Sequence, residues 1–274
     1  MKLLLFFFSI FPALAFAGAT PPPLSPNLSP WMGNLWEFKC HTSYSCQHYH
    51  SISTPSHSIL SPSYDHVVDF GLSLSFWPYY DGEMELLLAR THQNSFSFEA
   101  TRGTLRYSFY DENQGDYFNL VGGGIITLPS GHFLDDPSVA FHGDVNGEVF
   151  WTIGKEYACA KGWIALGLGT SNRGKFINHG WYFTRGAIEV NSCHLWQFGL
   201  FYDLFYAMGG DSFREPFDGY AGIDHQSIDL GGYIKKQFCF WGVCGINYTY
   251  RLHARNFPEK VNVLTLQIEI PFGL

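Results

Sequence analysis

The feature that most constrains the fold is a two-residue alternation of apolar and polar side chains. In residues 68–76 every even position is apolar and every odd position is polar or glycine. In residues 196–206 and 264–272 the even positions are again apolar. Such alternation is typical of a strand with one buried face. About nine to eleven residues is also the length that a tilted strand needs to cross a bilayer. We therefore expect an all-β protein.

The first 17 residues have the three parts of a secretory signal. Lys2 is the positive start, residues 3–11 are the apolar stretch, and Ala15-Phe16-Ala17 is a small-x-small cleavage pattern. The sequence therefore predicts a signal peptide at 1–17 and export from the cytoplasm. Residues 18–30 are proline-rich and predict a flexible periplasmic lead-in, followed by one β-barrel domain at 31–274.

The composition favours a sheet that faces water on one side and lipid on the other. Aromatic residues make up 18% of the chain and charged residues only 15%, whereas soluble domains carry about 25% charge. The net charge is −8 and no basic patch is present. Nucleic-acid binding depends on clustered Lys and Arg, so we predict no nucleic-acid partner.

The number of strands follows from the connections. Between Tyr64 and the C-terminus, long connections between the strand segments alternate with short ones when they are counted from the C-terminal end. External loops alternate with periplasmic turns in the same way in outer-membrane barrels. A last strand ending in the periplasm then requires one more strand before residue 66, and only residues 36–44 alternate. Ser51 to His66 becomes the first external loop. The prediction is a transmembrane antiparallel up-and-down β-barrel of about twelve strands, within a range of ten to fourteen. The other eleven segments lie near 66–77, 83–92, 101–110, 116–128, 144–154, 158–170, 176–189, 194–208, 223–238, 241–252 and 261–273.

Tryptophan and tyrosine gather near the ends of these segments, where interfacial girdles use them. The candidate girdle residues are Trp77, Tyr79, Tyr80, Trp151, Trp163, Trp181, Tyr182, Tyr206 and Trp241.

If apolar positions face lipid, the charged positions of opposite parity line the lumen. Two interpretations follow: a water-filled pore with opposed charges, or charges that pair with one another and fill a narrow barrel. The predicted lumen-lining residues are Asp69, Glu85, Arg102, Arg106, Glu148, Asp203, Asp229, Lys235, Arg251 and Glu269.

One short motif suggests enzymatic chemistry. His225 and Ser227 lie on the same face of a strand, as a His-activated serine nucleophile would require. The pair resembles the His-x-Ser element of outer-membrane phospholipases, but that element continues with Asn-Gly, and here Ile228-Asp229 follows. The parity of the strand also turns both side chains toward the lumen rather than toward lipid. We therefore predict no enzyme and no catalytic residue.

Cysteine and histidine residues are concentrated between residues 40 and 66. Their spacing matches no closed zinc motif, so the sequence predicts no metal site and no cofactor, although an external histidine-rich loop could bind metal weakly. The residues concerned are Cys40, His41, Cys46, His48, His50, His57 and His66.

Four further cysteines lie at or near predicted periplasmic turns, where an oxidising compartment allows disulfides. Cys239 and Cys244 flank a single turn, so a bond across the hairpin is plausible. Cys159 and Cys193 lie on successive turns. These cysteines are candidates either for intramolecular disulfides or for covalent links to cysteine-bearing periplasmic envelope proteins.

The layout of the whole mature chain resembles that of bacterial outer-membrane β-barrel proteins. The element Gly122 to Gly131 resembles a strand-to-loop segment of outer-membrane transporters for aromatic compounds, with Ser130 in place of threonine in a Leu-Pro-Thr-Gly turn. The cysteine content is similar to that of chlamydial outer-membrane proteins, which are cross-linked through cysteines. These resemblances imply an outer-membrane location and contact with outer-membrane lipid.

The function that the sequence favours is a narrow channel or passive transporter for small solutes. One alternative is a structural or surface-exposed envelope protein with a plugged lumen and cross-linked periplasmic cysteines. A second alternative is an outer-membrane hydrolase.

Overall fold

A computed structural model of the chain describes residues 28–172, 180–192, 195–214, 216–238 and 242–273. Within these ranges no helix is long and apolar enough to span a membrane. Twelve antiparallel strands form one closed barrel, which confirms the predicted fold class and strand number. The strands are β1 (Glu37–Ser53), β2 (Ser58–Trp77), β3 (Tyr80–Arg90), β4 (Ser97–Tyr110), β5 (Asn119–Pro129), β6 (Asn146–Tyr157), β7 (Ala160–Ser171), β8 (Trp181–Asn191), β9 (Trp196–Ala207), β10 (Gln226–Phe238), β11 (Gly242–Arg255) and β12 (Asn262–Gly273).

Strand β1, which the loop count required, closes the barrel. It pairs with β2 on one side, with Phe38 opposite Leu74, and with β12 on the other, with Phe38 opposite Phe272. Each strand therefore has two hydrogen-bonded neighbours, and no backbone edge is left for another chain to extend.

The predicted first external loop, Ser51 to His66, is wrong. Strand β1 continues to Ser53 and β2 begins at Ser58, so the two strands form a long hairpin with only residues 54–57 at its tip. The hairpin is stabilised from inside, because Tyr49 and Ile52 are 2% and 1% exposed and pack in one cluster with Phe213. A later loop of the chain thus supplies the apolar surface that this polar-looking segment needs.

The two faces of the barrel differ sharply. Even-numbered positions of β2, β7, β9 and β12 carry large apolar side chains that stay exposed, as a lipid-facing surface requires. Odd-numbered positions face inward and are mostly buried; they carry polar or charged groups such as Asp69 and Asp203, and also rings such as Phe201 and Phe205. The exposed apolar set includes Phe70, Leu72, Leu166, Leu168, Phe198, Leu200, Leu264, Leu266, Ile268 and Phe272.

Two members of the predicted aromatic girdle lie inside the barrel instead. Trp181 is 1% exposed and its Nε1 donates to Glu148 Oε1 at 2.9 Å. Trp163 is partly buried and packs against the same interior cluster. Both are at inward-facing positions of their strands, so strand parity overrides the position near a strand end.

Candidate functional site: the closed lumen

On one side of the lumen, basic and acidic side chains from neighbouring strands are paired. Arg251 on β11 makes two hydrogen bonds to Asp229 on β10, Nε to Oδ1 at 2.8 Å and Nη2 to Oδ2 at 2.9 Å. Arg185 on β8 donates to Asp203 on β9 at 2.7 Å. Because each pair joins residues opposite each other in the strand register, the ion pairs link strands that the backbone already joins.

On the opposite side, formed by β1 to β4, acidic groups exceed their partners. Arg106 pairs with Asp81 at 2.5 Å and Arg102 pairs with Glu85 at 3.2 Å. Asp69 and Glu83 are 4% and 7% exposed. The only basic side chain within 4.0 Å of either carboxylate, among the described residues, is His41.

The residues predicted to line the lumen lie on the interior side of the wall. Asp69, Glu85, Arg106, Asp203, Asp229 and Arg251 are buried there. Arg102 and Glu148 line an internal cavity. Lys235 shares the parity of the buried Tyr233, and Glu269 lies 3.8 Å from Lys39 Nζ.

Sequence reasoning missed several interior charges with the same parity. Glu83 is two residues before the predicted Glu85 on β3, so both face inward. Arg185 is two residues after the buried Phe183 on β8 and shares its inward face. Strand parity was the signal that could have found them, except for Glu99, which lies at a bulge of β4 opposite Leu87 and Leu88. The interior groups that were missed include Lys39, Asp65, Asp81, Glu83, Glu99, Lys161, Arg185 and Glu189.

The loop at residues 130–145, between β5 and β6, folds into the barrel from the side of the longer loops. Phe133 is fully buried and packs with Leu87 and Ala100 of the wall. The Asp136 carboxylate accepts hydrogen bonds from Thr91 at 2.5 Å and from the Asn94 amide at 2.8 Å. Apolar packing and bonds to uncharged donors therefore hold this loop in place.

The loop at residues 208–225, between β9 and β10, lies beside the first one. Tyr220 is fully buried and donates a hydrogen bond to the carbonyl of Pro137 at 2.7 Å. The backbone N–H of Phe213 donates to Asn256 Oδ1 at 3.1 Å. The two loops thus contact each other as well as the wall.

At the junction of the two loops, His225 is completely buried in a group of aromatic rings. Its ring centroid lies 4.9 Å from that of His142, 4.6 Å from that of Tyr220 and 5.1 Å from that of Phe257. Burial, His142 and the Arg251 guanidinium all keep the pKa of His225 well below its ordinary value. This imidazole is neutral at physiological pH and acts as part of the apolar packing.

Below the loops, a cavity of about 140 Å³ lies between the 130–145 loop and the wall. Its lining combines charged groups, including Glu99, Arg102 and Arg185, with the rings of Phe141 and Trp181. A cavity of this size can hold several water molecules or one small solute.

The N-terminal part of the described chain also enters the barrel. Leu28 is 1% exposed and belongs to the same interior cluster as Phe150 and Trp181. The carbonyl of Ser29 accepts a hydrogen bond from Arg106 Nη1 at 2.8 Å. Of the predicted lead-in at 18–30, the structure describes only residues 28–30, and these are packed in the lumen.

The candidate catalytic pair is buried. His225 and Ser227 are each 0% exposed, and His225 faces the aromatic group described above rather than the lipid side. This is the orientation that strand parity indicated, and it offers no access from the bilayer.

The described cysteines, Cys40, Cys46, Cys159 and Cys244, form no disulfide with one another. Cys193 and Cys239 lie outside the described residues, so the proposed bonds through them stay predictions. On the outer surface Cys46 Sγ lies 3.3 Å from His66 Nδ1. His41, from the same run of residues, points into the lumen.

No protein-family model and no curated protein matches the sequence. Solved structures do match the fold. An outer-membrane channel from Pseudomonas putida F1 superposes with a TM-score of 0.63, at 10% identity, over 92% of this chain and 100% of that one. The KdgM porin, solved in complex with disordered oligogalacturonate, gives a TM-score of 0.52 at 11% identity over 84% and 99% of the two chains. The NanC porin gives 0.52 at 9% identity over 86% and 100%. The chain therefore has the fold of bacterial outer-membrane β-barrel channels and porins.

Proposed function

We propose that this protein is an outer-membrane channel for small solutes whose structure here is a closed state. The observation that carries the proposal is the charged interior around a cavity, capped by two loops that are held mainly by apolar packing and hydrogen bonds. One partly exposed ion pair, Arg255 to Asp224 at 2.9 Å, also joins the 208–225 loop to β11. A barrel that served only as an inert plug would gain more from apolar packing than from buried ion pairs.

The location follows from the surface. The outer face carries exposed leucine, isoleucine and phenylalanine side chains on every second residue, which water would disfavour and a lipid bilayer accommodates. The solved structures of similar fold are channels and porins by name. These two observations support the outer membrane as the location, with lipid as its partner.

The transported solutes are expected to be small, and the channel is expected to prefer cations. The cavity of about 140 Å³ limits what can occupy the lumen in this state. Because buried acids outnumber buried bases along the wall, the interior potential favours positive charge. A preference of this kind is weak where most charges are already paired.

The alternative function is a structural envelope protein with a permanently filled lumen, and the packed loops favour it. Recording single-channel currents from the purified protein in planar bilayers separates the two. The channel proposal expects opening events with reversal potentials shifted toward cation selectivity in a salt gradient. A silent bilayer over a wide voltage range, from protein shown to be folded and inserted, would contradict it.

A further inference from the structure

Four ionisable side chains converge on the inner wall of β1, β2 and β3. In the strand register His41 lies opposite Gly71, and Gly71 lies opposite Glu85. Asp69 and Glu83 occupy the neighbouring inward positions. All four are at least nine-tenths buried, with exposed fractions of 9% for His41, 4% for Asp69, 7% for Glu83 and 1% for Glu85.

The imidazole ring of His41 packs directly against the backbone of Gly71. A Cβ atom at position 71 would lie 1.9 Å from Cε1 of His41 and 2.2 Å from its Nε2. Only glycine leaves room for the ring to lie against the backbone of β2. In that position the two ring nitrogens face carboxylates on both sides.

The distances within this group are too long for the hydrogen bonds expected between such charges. His41 Nε2 lies 3.5 Å from Glu85 Oε1 and 3.7 Å from Asp69 Oδ2, and Nδ1 lies 3.3 Å from Glu83 Oε1. Charge-assisted N–H···O bonds are usually about 2.7–2.9 Å long. Accordingly His41 Nε2, Asp69 Oδ1 and Glu83 Oε1 are buried without a hydrogen-bond partner.

The distances from His41 to Glu83 and Glu85, 3.3 and 3.5 Å, match the edges of a metal coordination sphere. Two ligand atoms that each lie about 2.0–2.2 Å from a zinc ion at a tetrahedral angle are roughly 3.3–3.6 Å apart. One potential ligand atom from each of His41, Glu83 and Glu85 lies within 4.8 Å of the others.

The charge balance points the same way. Arg102 donates to Oε2 of Glu85 at 3.2 Å, and Arg106 pairs with Asp81. Asp69 and Glu83 then share one imidazole between them. A divalent cation would neutralise the excess negative charge in an environment where unpaired charge is costly.

We propose that this cluster, the lumen metal site, binds a divalent transition-metal ion of the zinc class. Its ligands are one ring nitrogen of His41 and one carboxylate oxygen each from Glu83 and Glu85, whose ligand atoms lie within 4.8 Å of one another. Asp69, whose Oδ2 lies 3.7 Å from Nε2, faces the ring from β2 and orients it, the role that carboxylates beside metal-bound histidines usually have. Imidazole combined with carboxylates suits zinc and its neighbours, whereas Ca²⁺ and Mg²⁺ prefer oxygen ligands alone.

The site does not depend on the channel proposal, because metal binding is measured on protein in detergent with no solute passing. The purified full-length barrel, stripped with a chelator, is titrated calorimetrically with Zn²⁺. The matched variants are His41→Ala and a triple variant of the outward-facing histidines, His48, His50 and His66, each changed to alanine. Heat-modifiable migration on electrophoresis checks that every variant is folded.

The proposal expects one tight equivalent of Zn²⁺ in the wild type and in the triple variant, and loss of that equivalent in His41→Ala. Asp69→Asn should weaken binding by about 10- to 100-fold while keeping the stoichiometry. With Co²⁺ as the probe, His41→Ala should abolish the visible absorption bands of the bound ion. The proposal is wrong if the wild type binds no ion tightly, if His41→Ala retains the equivalent, or if the triple variant loses it.

Discussion

The wall of the barrel and the two loops inside it are held by different interactions. The wall carries ion pairs between adjacent strands, such as the double hydrogen bond from Arg251 to Asp229. The loops at 130–145 and 208–225 are held mainly by rings and uncharged donors, such as Phe133 against Leu87 and Tyr220 on the Pro137 carbonyl. The ion pair between Arg255 and Asp224 involves an arginine side chain that is 46% exposed. A buried ion pair is costly to separate, whereas apolar contacts and single hydrogen bonds exchange more readily. The wall is therefore the fixed part of the molecule and the loops are the part that can move.

The largest effect should come from breaking a wall pair. Arg251 is 1% exposed and also donates to the Pro258 carbonyl, so Arg251→Met leaves the buried Asp229 carboxylate uncompensated. We expect a loss of about 3–5 kcal/mol in the free energy of unfolding, measured by urea unfolding of the barrel in lipid vesicles.

The matched control is Lys39→Met, because Lys39 lies 3.8 Å from Glu269 and both side chains are about one-third exposed. A partly exposed pair contributes about 0–1 kcal/mol. Equal effects of the two substitutions would show that burial does not make the ion pairs of the wall costly to break.

A smaller and local effect should come from the loop packing. Phe133→Ala removes a fully buried ring from the 130–145 loop. Truncating a buried phenylalanine costs about 3–5 kcal/mol, and here that cost should fall on the packing of the loop rather than on the unfolding of the barrel. Because the loop is not part of the hydrogen-bonded wall, the barrel should remain folded while the loop becomes sensitive to protease. Phe96→Ala, at a ring that is 53% exposed, is the control. Global unfolding of Phe133→Ala would mean that the loop and the wall form one cooperative unit.

The strands were predictable and the loops were not, for a physical reason. Alternation reports which face of a strand is buried, so Asp69, Asp203 and Arg251 could be assigned to the interior from parity alone. Phe133 and Tyr220 follow no period, and nothing in their neighbours indicates that they fold inward. The long β1–β2 hairpin was missed because its stabilising partner, Phe213, is 160 residues distant in the chain.

The lumen metal site shows a second limit. His41, Asp69 and Glu85 come from three strands, and their proximity depends on the register that places Gly71 between His41 and Glu85. Alternation gives the face of each side chain but not the register. Position in the sequence therefore groups His41 with His48, His50 and His66, which lie on the same two strands but face outward.

The smallest effect should be a dependence of loop closure on pH. The lowered pKa of His225 in the packed state means that the displaced loop binds a proton more readily than the packed loop. Closure should therefore be fully stable above the ordinary histidine pKa of about 6.5 and should weaken as the pH falls below it. Protease sensitivity of the 208–225 loop, compared at pH 7.5 and pH 5, measures this.

The groups that face His225 are His142 from the other loop, Tyr220 from its own loop, and Arg251 from the wall. Arg251 and a protonated His142 would both repel a second positive charge, so they act in the same direction as burial. His225→Gln should reduce the change in sensitivity between the two pH values. An undiminished change in that variant would place the titrating group elsewhere.

The most direct test of the account is the single-channel conductance of the wild type beside a variant whose 130–145 loop is shortened by removing residues 132–141. If the loop closes a channel, the shortened protein should conduct more often and with larger unit currents than the wild type. A variant with Leu60→Ala, at an exposed hairpin residue, should behave as the wild type. A folded, inserted and loop-shortened barrel that conducts no more than the wild type would contradict the proposal that the 130–145 loop closes a pore.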